Sequence, residues 1–168
     1  MNVSLKQFEP LLKKFVTAYI IVVTIGLSLG LYFVNHTTDM TPSGAVERFN
    51  GSQSAEDDEF TIPESYPKPL SELLITTHNH ILGFSFIFGS IGFIFYFNSR
   101  VKGFWKAFLL IEPFISIILS FGSIWLMRFV HPSFVYVTVI SAILLYLSFY
   151  SMIIISLIDI WSKGNETK

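Results

Sequence analysis

Five side chains in this 168-residue sequence could do chemistry in an otherwise apolar setting: His36, His78, His80, His131 and Glu112. Neutral imidazole is the commonest protein ligand for transition metals and a regular axial ligand of haem iron. The chain has no cysteine, so thiolate metal sites, disulfides, iron–sulfur clusters and cysteine nucleophiles are excluded, and histidine is the strongest ligand left. His78 and His80 are two residues apart, about 200° around a helix, so a regular helix turns only one of them toward a given ion. The sharpest reading is a haem b or transition metal held by His78, with His131 or His36 opposite. The plain alternative is that histidines at headgroup level bind water, lipid phosphate or a loop carboxylate. Glu112 lies about eight residues inside an apolar run, where an ionisable group is costly and turns toward protein or water. Pro113 follows it and predicts a kink, because proline removes one helical hydrogen bond. Glu112 is thus either part of a proton path or a neutral buried acid hydrogen-bonded to a serine on another helix.

The elements that carry these residues follow from composition. Hydrophobic residues make up 52% and charged residues 14%, against about 25% charged in a soluble domain. That balance excludes a soluble globular enzyme. A net charge of −1 and the lack of any long basic run exclude a nucleic-acid partner. Four stretches are long enough to cross about 30 Å of hydrocarbon: residues 15–34, 73–97, 104–127 and 134–160. The expected fold is all-α, one integral membrane four-helix bundle over residues 1–168, with the lipid bilayer as its first partner. Lys6, Lys13, Lys14, Arg100, Lys102, Lys106, Lys163 and Lys168 lie on one side of these spans, and only Arg48, Lys68 and Arg128 on the other. Positive residues stay cytoplasmic, so both termini are expected in the cytoplasm.

The connection 36–72 then lies outside. It is acidic, with four prolines, and its Glu56–Glu59 run reads as a solvated tip. Asn35-His36-Thr37 and Asn50-Gly51-Ser52 match the glycosylation pattern, which matters only in a eukaryotic source. Membrane helices pack through small and hydroxyl residues, so inner faces are read from their spacing. Thr17, Thr24 and Ser28 mark the first stretch. His78, Leu82, Ser85, Gly89, Gly92 and Tyr96 mark the second, which makes His78 the inward histidine; His80, in line with Glu72 and Thr76, bonds within its own helix or faces the loop. Glu112, Ser116, Ser120 and Ser123 mark the third, and Ser141, Ser148 and Asp159 the fourth. Asp159 is expected to pair with Lys163 one turn later. Arg128 reads as a lipid-phosphate anchor, or as a partner for a haem propionate or Glu72, and Trp125 as part of the aromatic belt.

The segment Ile62-Pro63-Glu64-Ser65-Tyr66, with Glu72-Leu73-Leu74-Ile75-Thr76-Thr77-His78-Asn79-His80, resembles a family of small bacterial four-helix inner-membrane proteins in which E-L-L-x-x-T-H-x-H opens the second helix. The likeness takes in Arg48-Phe49-Asn50-Gly51, Gly122 to Arg128 and Pro132 to Tyr136, roughly residues 41–150. It implies a multi-pass protein of the bacterial inner membrane and directs attention to His78 and His80. His78 to Gly83 is also similar to a stretch in haem-copper-oxidase-like proteins, which have many more helices and further paired histidines. Two functions compete: a haem- or metal-binding protein in a redox or respiratory context, and a non-catalytic accessory or structural subunit of a membrane complex. No G-x-S-x-G, H-E-x-x-H or phosphate-cradling glycine loop supports a hydrolase.

Overall fold

The computed structural model describes residues 4–52 and 65–162. Among the described residues, five α-helices follow one another: α1 (Pro10–Thr38), α2 (Pro42–Asn50), α3 (Leu70–Tyr96), α4 (Gly103–Phe129) and α5 (Val135–Ile160). Four of them, α1, α3, α4 and α5, are long and apolar enough to cross a membrane. The all-α, four-span fold read from composition is therefore the fold observed.

Two boundaries differ from expectation. α1 continues through His36 to Thr38, because nothing in that stretch breaks a helix and the Thr37 and Thr38 hydroxyls turn back onto the carbonyls of Phe33 and Val34. It stops where Asp39 and Met40 take positive φ, 49° and 53°. The long connection also contains α2. Thr41 caps it by accepting the Gly44 amide at 3.0 Å, Pro42 occupies the first turn, and Gly51, at φ 84°, ends it where a side chain would be strained. The Thr-Pro start and glycine stop were visible signals for this helix. The Glu56–Glu59 run lies outside the described residues.

α4 and α5 form the centre of the fold. They are joined by a short connection, Val130–Phe134, that includes one 3₁₀ turn, and they pack antiparallel along their length. Ile117, Phe121, Ile124 and Met127 of α4 and Leu145, Phe149, Met152 and Ile153 of α5 are buried with Leu73, Phe88, Ile91 and Phe95 of α3. α1 joins through polar contacts as well as apolar ones. Tyr19 bonds Ser90, Ser28 meets Tyr150 at 2.8 Å, and the Trp161 indole donates to Thr17 at 3.2 Å.

Each end of the bundle is tied. At the termini face, Leu5 is fully buried and donates its amide to Phe97 at 3.0 Å. Asp159 of α5 accepts the amide and hydroxyl of Ser99 at 2.8 and 2.7 Å, with Arg100 3.7 Å away. The Asp159 carboxylate is 1% exposed and engages the α3–α4 turn; Lys163, the partner expected for it, lies outside the described residues. At the loop face, α2 lies against α4, and the Asn50 amide donates to the Met127 carbonyl at 3.2 Å.

Candidate functional site

α4 presents Glu112, Ser116, Ser120 and Ser123 on one face, and all four are buried. The residues are three or four apart, so one helical stripe carries them. α5 answers with Ser141 and Ser148, also buried. Glu112 sits at the heart of this seam, 7% exposed. The Ser148 hydroxyl, from α5, donates to its Oε2 at 2.5 Å, and the Ser116 hydroxyl, one turn along α4, donates to Oε1. Further toward the loop face, Ser123 shares a 2.7 Å hydrogen bond with Thr138 of α5 and donates to the Ser120 carbonyl at 2.9 Å.

Local sequence explains this close fit. Serine side chains let the two backbones approach, and the hydroxyls of Ser116, Ser123, Ser141 and Ser148 find acceptors that lipid would not supply. Pro113 is buried directly beside Glu112, yet α4 runs on through it as a single helix. No other charged residue stands on α4 between Lys106 and Arg128, and none precedes Asp159 on α5. Among the described residues, the Glu112 carboxyl therefore has hydroxyl partners and no ionic one.

The histidines are placed differently from the sequence reading. The expected inward stripe of the second span is turned outward: His78 and Gly89 are exposed, Leu82 is 47% exposed and Tyr96 61%. Of that stripe only Gly92 is buried. The inner face of α3 is instead built from Leu73, Phe88, Ile91 and Phe95, because large rings interlock there; Phe88 meets Phe149 of α5 edge-on at 5.8 Å. His80, and not His78, leans on a neighbouring helix, with its ring 5.2 Å from that of Phe121 on α4 and 5.8 Å from Phe84. Its Nδ1 lies 2.7 Å from the Thr76 carbonyl, the within-helix bond anticipated for it.

His36 is exposed on α1 and lies inside that helix, not after it. His131 is exposed at the α4–α5 turn, where its Nδ1 accepts the Ser133 amide at 3.2 Å and so caps the 3₁₀ turn. Glu72 pairs with Lys68 at 3.4 Å, one turn before it, and not with Arg128. Arg128 is half-buried with its guanidinium carbon 5.6 Å from the Phe129 ring centre, and its Nε has no acceptor among the described residues. Trp125, read as a belt residue, also donates to Thr77 of α3 at 2.8 Å. Among the described residues, no three of His, Asp and Glu gather as a metal site would require.

The sequence missed one contact set that bears on the rest. Asn50, part of a glycosylation pattern, is half-buried and donates its amide to the Met127 carbonyl, tying α2 to the end of α4. No curated protein and no solved structure matches the chain. A family model described as a transmembrane helical domain matches residues 39–167, a stretch that holds α2, α3, α4, α5 and the whole hydroxyl seam; the chain belongs to that family of transmembrane helical domains.

Proposed function

We propose that this small multi-pass membrane protein works through a proton held at Glu112, as a proton-binding subunit within a membrane complex. The observation that carries this reading is the pairing of both carboxyl oxygens with serine hydroxyls, one from each helix of the central pair. A serine hydroxyl is both donor and acceptor. When Glu112 is ionised, both serines donate to it. When it is protonated, it donates to one serine, whose own hydrogen rotates to a helix carbonyl four residues back, an acceptor that helical serines commonly use. Both forms are satisfied with no movement of either backbone. A lysine or arginine partner would instead favour the ionised form alone.

Infrared spectroscopy of the protein in lipid nanodiscs tests this. The expected result is a carboxylic C=O band, absent from Glu112→Gln, that disappears reversibly as pH is raised over the range in which the fold persists. A band that never changes, or never appears, overturns the reading and leaves Glu112 as a fixed tie between α4 and α5.

The haem b or transition-metal reading of the histidines has less behind it, since exposed His36, His78 and His131 each stand on a different element. An absorption spectrum and metal analysis of the same preparation check it. A Soret band, or bound metal lost on His80→Ala or His78→Ala, would restore it.

A further inference from the structure

We infer that Glu112 exchanges its proton with the loop face of the membrane, along the hydroxyls between α4 and α5, and that the nearer termini face is closed to it. The inference rests on the proton-binding reading of Glu112 and adds the side from which the proton comes.

The antiparallel register is fixed at two points, Glu112 opposite Ser148 and Ser123 opposite Thr138. The same register sets Ser120 opposite Ser141. From Glu112 toward the loop face the seam thus offers Ser116, then Ser120 with Ser141, then Ser123 with Thr138. Along the helix axis these steps are roughly 6, 6 and 4.5 Å, lengths that one water molecule with two hydrogen bonds can bridge. Ser123 lies two residues before Trp125, whose indole bond to Thr77 holds it at the depth of an interfacial tryptophan. Ser123 is itself buried, so the ladder opens to the loop side through its partner Thr138, which is only half-buried.

Toward the termini face the same register leads elsewhere. Phe149, Met152 and Ile153 of α5 are buried there, between 0% and 4% exposed, against Leu109 and Leu110 of α4 and Phe88, Ile91 and Phe95 of α3. Past Ser148, α5 offers Ser151, which is half-buried, and then no hydroxyl over Met152, Ile153, Ile154 and Ile155 until Ser156, which is buried without a partner among the described residues. Protons move between hydrogen-bonding groups, and these apolar side chains supply none. Glu112 lies nine residues into α4, roughly 14 Å from its start, so the shorter path is the obstructed one.

Among the described residues, no other titratable group shares the site. α4 contributes none but Glu112 itself between Lys106 and Arg128, α5 none before Asp159 but Tyr146, Tyr150 and, exposed at its loop-face end, Tyr136, and α3 none between His80 and Tyr96. Tyr150 is engaged by Ser28 of α1, whose remaining titratable residues in the span are Tyr19, bonded to Ser90, and Tyr32. The exchange balances simply. A water at the loop face gives up a proton, each hydroxyl releases one as it accepts one, and the last binds a Glu112 oxygen; release runs in reverse.

The experiment uses the full chain reconstituted in liposomes with one orientation, stepping pH on one side at a time while following the Glu112-dependent carboxyl band. A step at the loop face is expected to change the band and a step at the termini face to leave it unchanged. Ser120→Ala with Ser123→Ala should slow the loop-face response tenfold or more, and Met152→Ser should create a response from the termini face. A native response from the termini face, or from both equally, overturns the route while the proton-binding reading survives. A band that answers to neither side overturns both.

Discussion

The α4–α5 seam and the loop-side half of α3 both place polar side chains in a membrane-crossing helix, and the structure treats them in opposite ways. Along the seam, Glu112, Ser116, Ser120, Ser123, Ser141 and Ser148 are buried. On α3, His78, Asn79 and His80 are exposed, and only His80 has a ring neighbour on another helix. A polar residue in a span is thus not by itself a mark of the bundle interior. What decides is whether a second helix can come close, and serines allow that where the rings of α3 do not. Polar groups near a helix end can also be served by water, so α3 tolerates its exposed pair two turns from its start.

Substitutions can break this contrast. Glu112→Ala should have the largest effect, about 2–4 kcal/mol of destabilisation, because it leaves a cavity and two buried hydroxyls with a lost partner. Glu112→Gln should recover most of it, as read by thermal unfolding in detergent. Asp159→Ala should follow at about 2–3 kcal/mol: the buried carboxylate holds the α3–α4 turn through two hydrogen bonds from Ser99. Proteolysis at that turn is the sensitive readout. Ser148→Ala removes one donor to Glu112 and should cost about 1 kcal/mol, the scale measured for hydrogen bonds between membrane helices. The smallest effects sharpen the comparison most. His80→Ala should cost about 0.5–1 kcal/mol through lost ring packing, whereas His78→Ala should leave the melting temperature unchanged. Equal losses at the two histidines would show that α3 has a second buried face.

The four spans were legible in the sequence because hydrocarbon thickness fixes the length of a span. The Glu112 site was legible for a related reason: on α4 and α5 the hydroxyls recur at helical spacing with few competing small residues. The same rule failed on α3. Its glycines and Ser85 form an equally regular stripe, but small residues mark a close contact only where a neighbouring helix arrives, and spacing within one helix carries no information about its neighbours. The Ser99 contact of Asp159 was illegible for a similar reason, since Ser99 stands sixty positions away and only sequence-local partners are visible in a single chain. α2 was overlooked because nine residues bury too little apolar surface to show a period, although its cap and stop were written in Thr41, Pro42 and Gly51.

The short turn between α4 and α5 bears on how the protein is made. An ionised carboxylate at the centre of a lone inserting helix costs on the order of 2.5–3.5 kcal/mol. During synthesis, α4 leaves the ribosome with Ser116 already in place, but the other partner of Glu112, Ser148, emerges some 36 residues later. Because only Val130–Phe134 separates the helices, the two can enter the bilayer as a hairpin, with both carboxyl oxygens engaged before lipid surrounds them. Lengthening that turn should therefore impair membrane integration of α4 even where the finished fold could accommodate the extra residues.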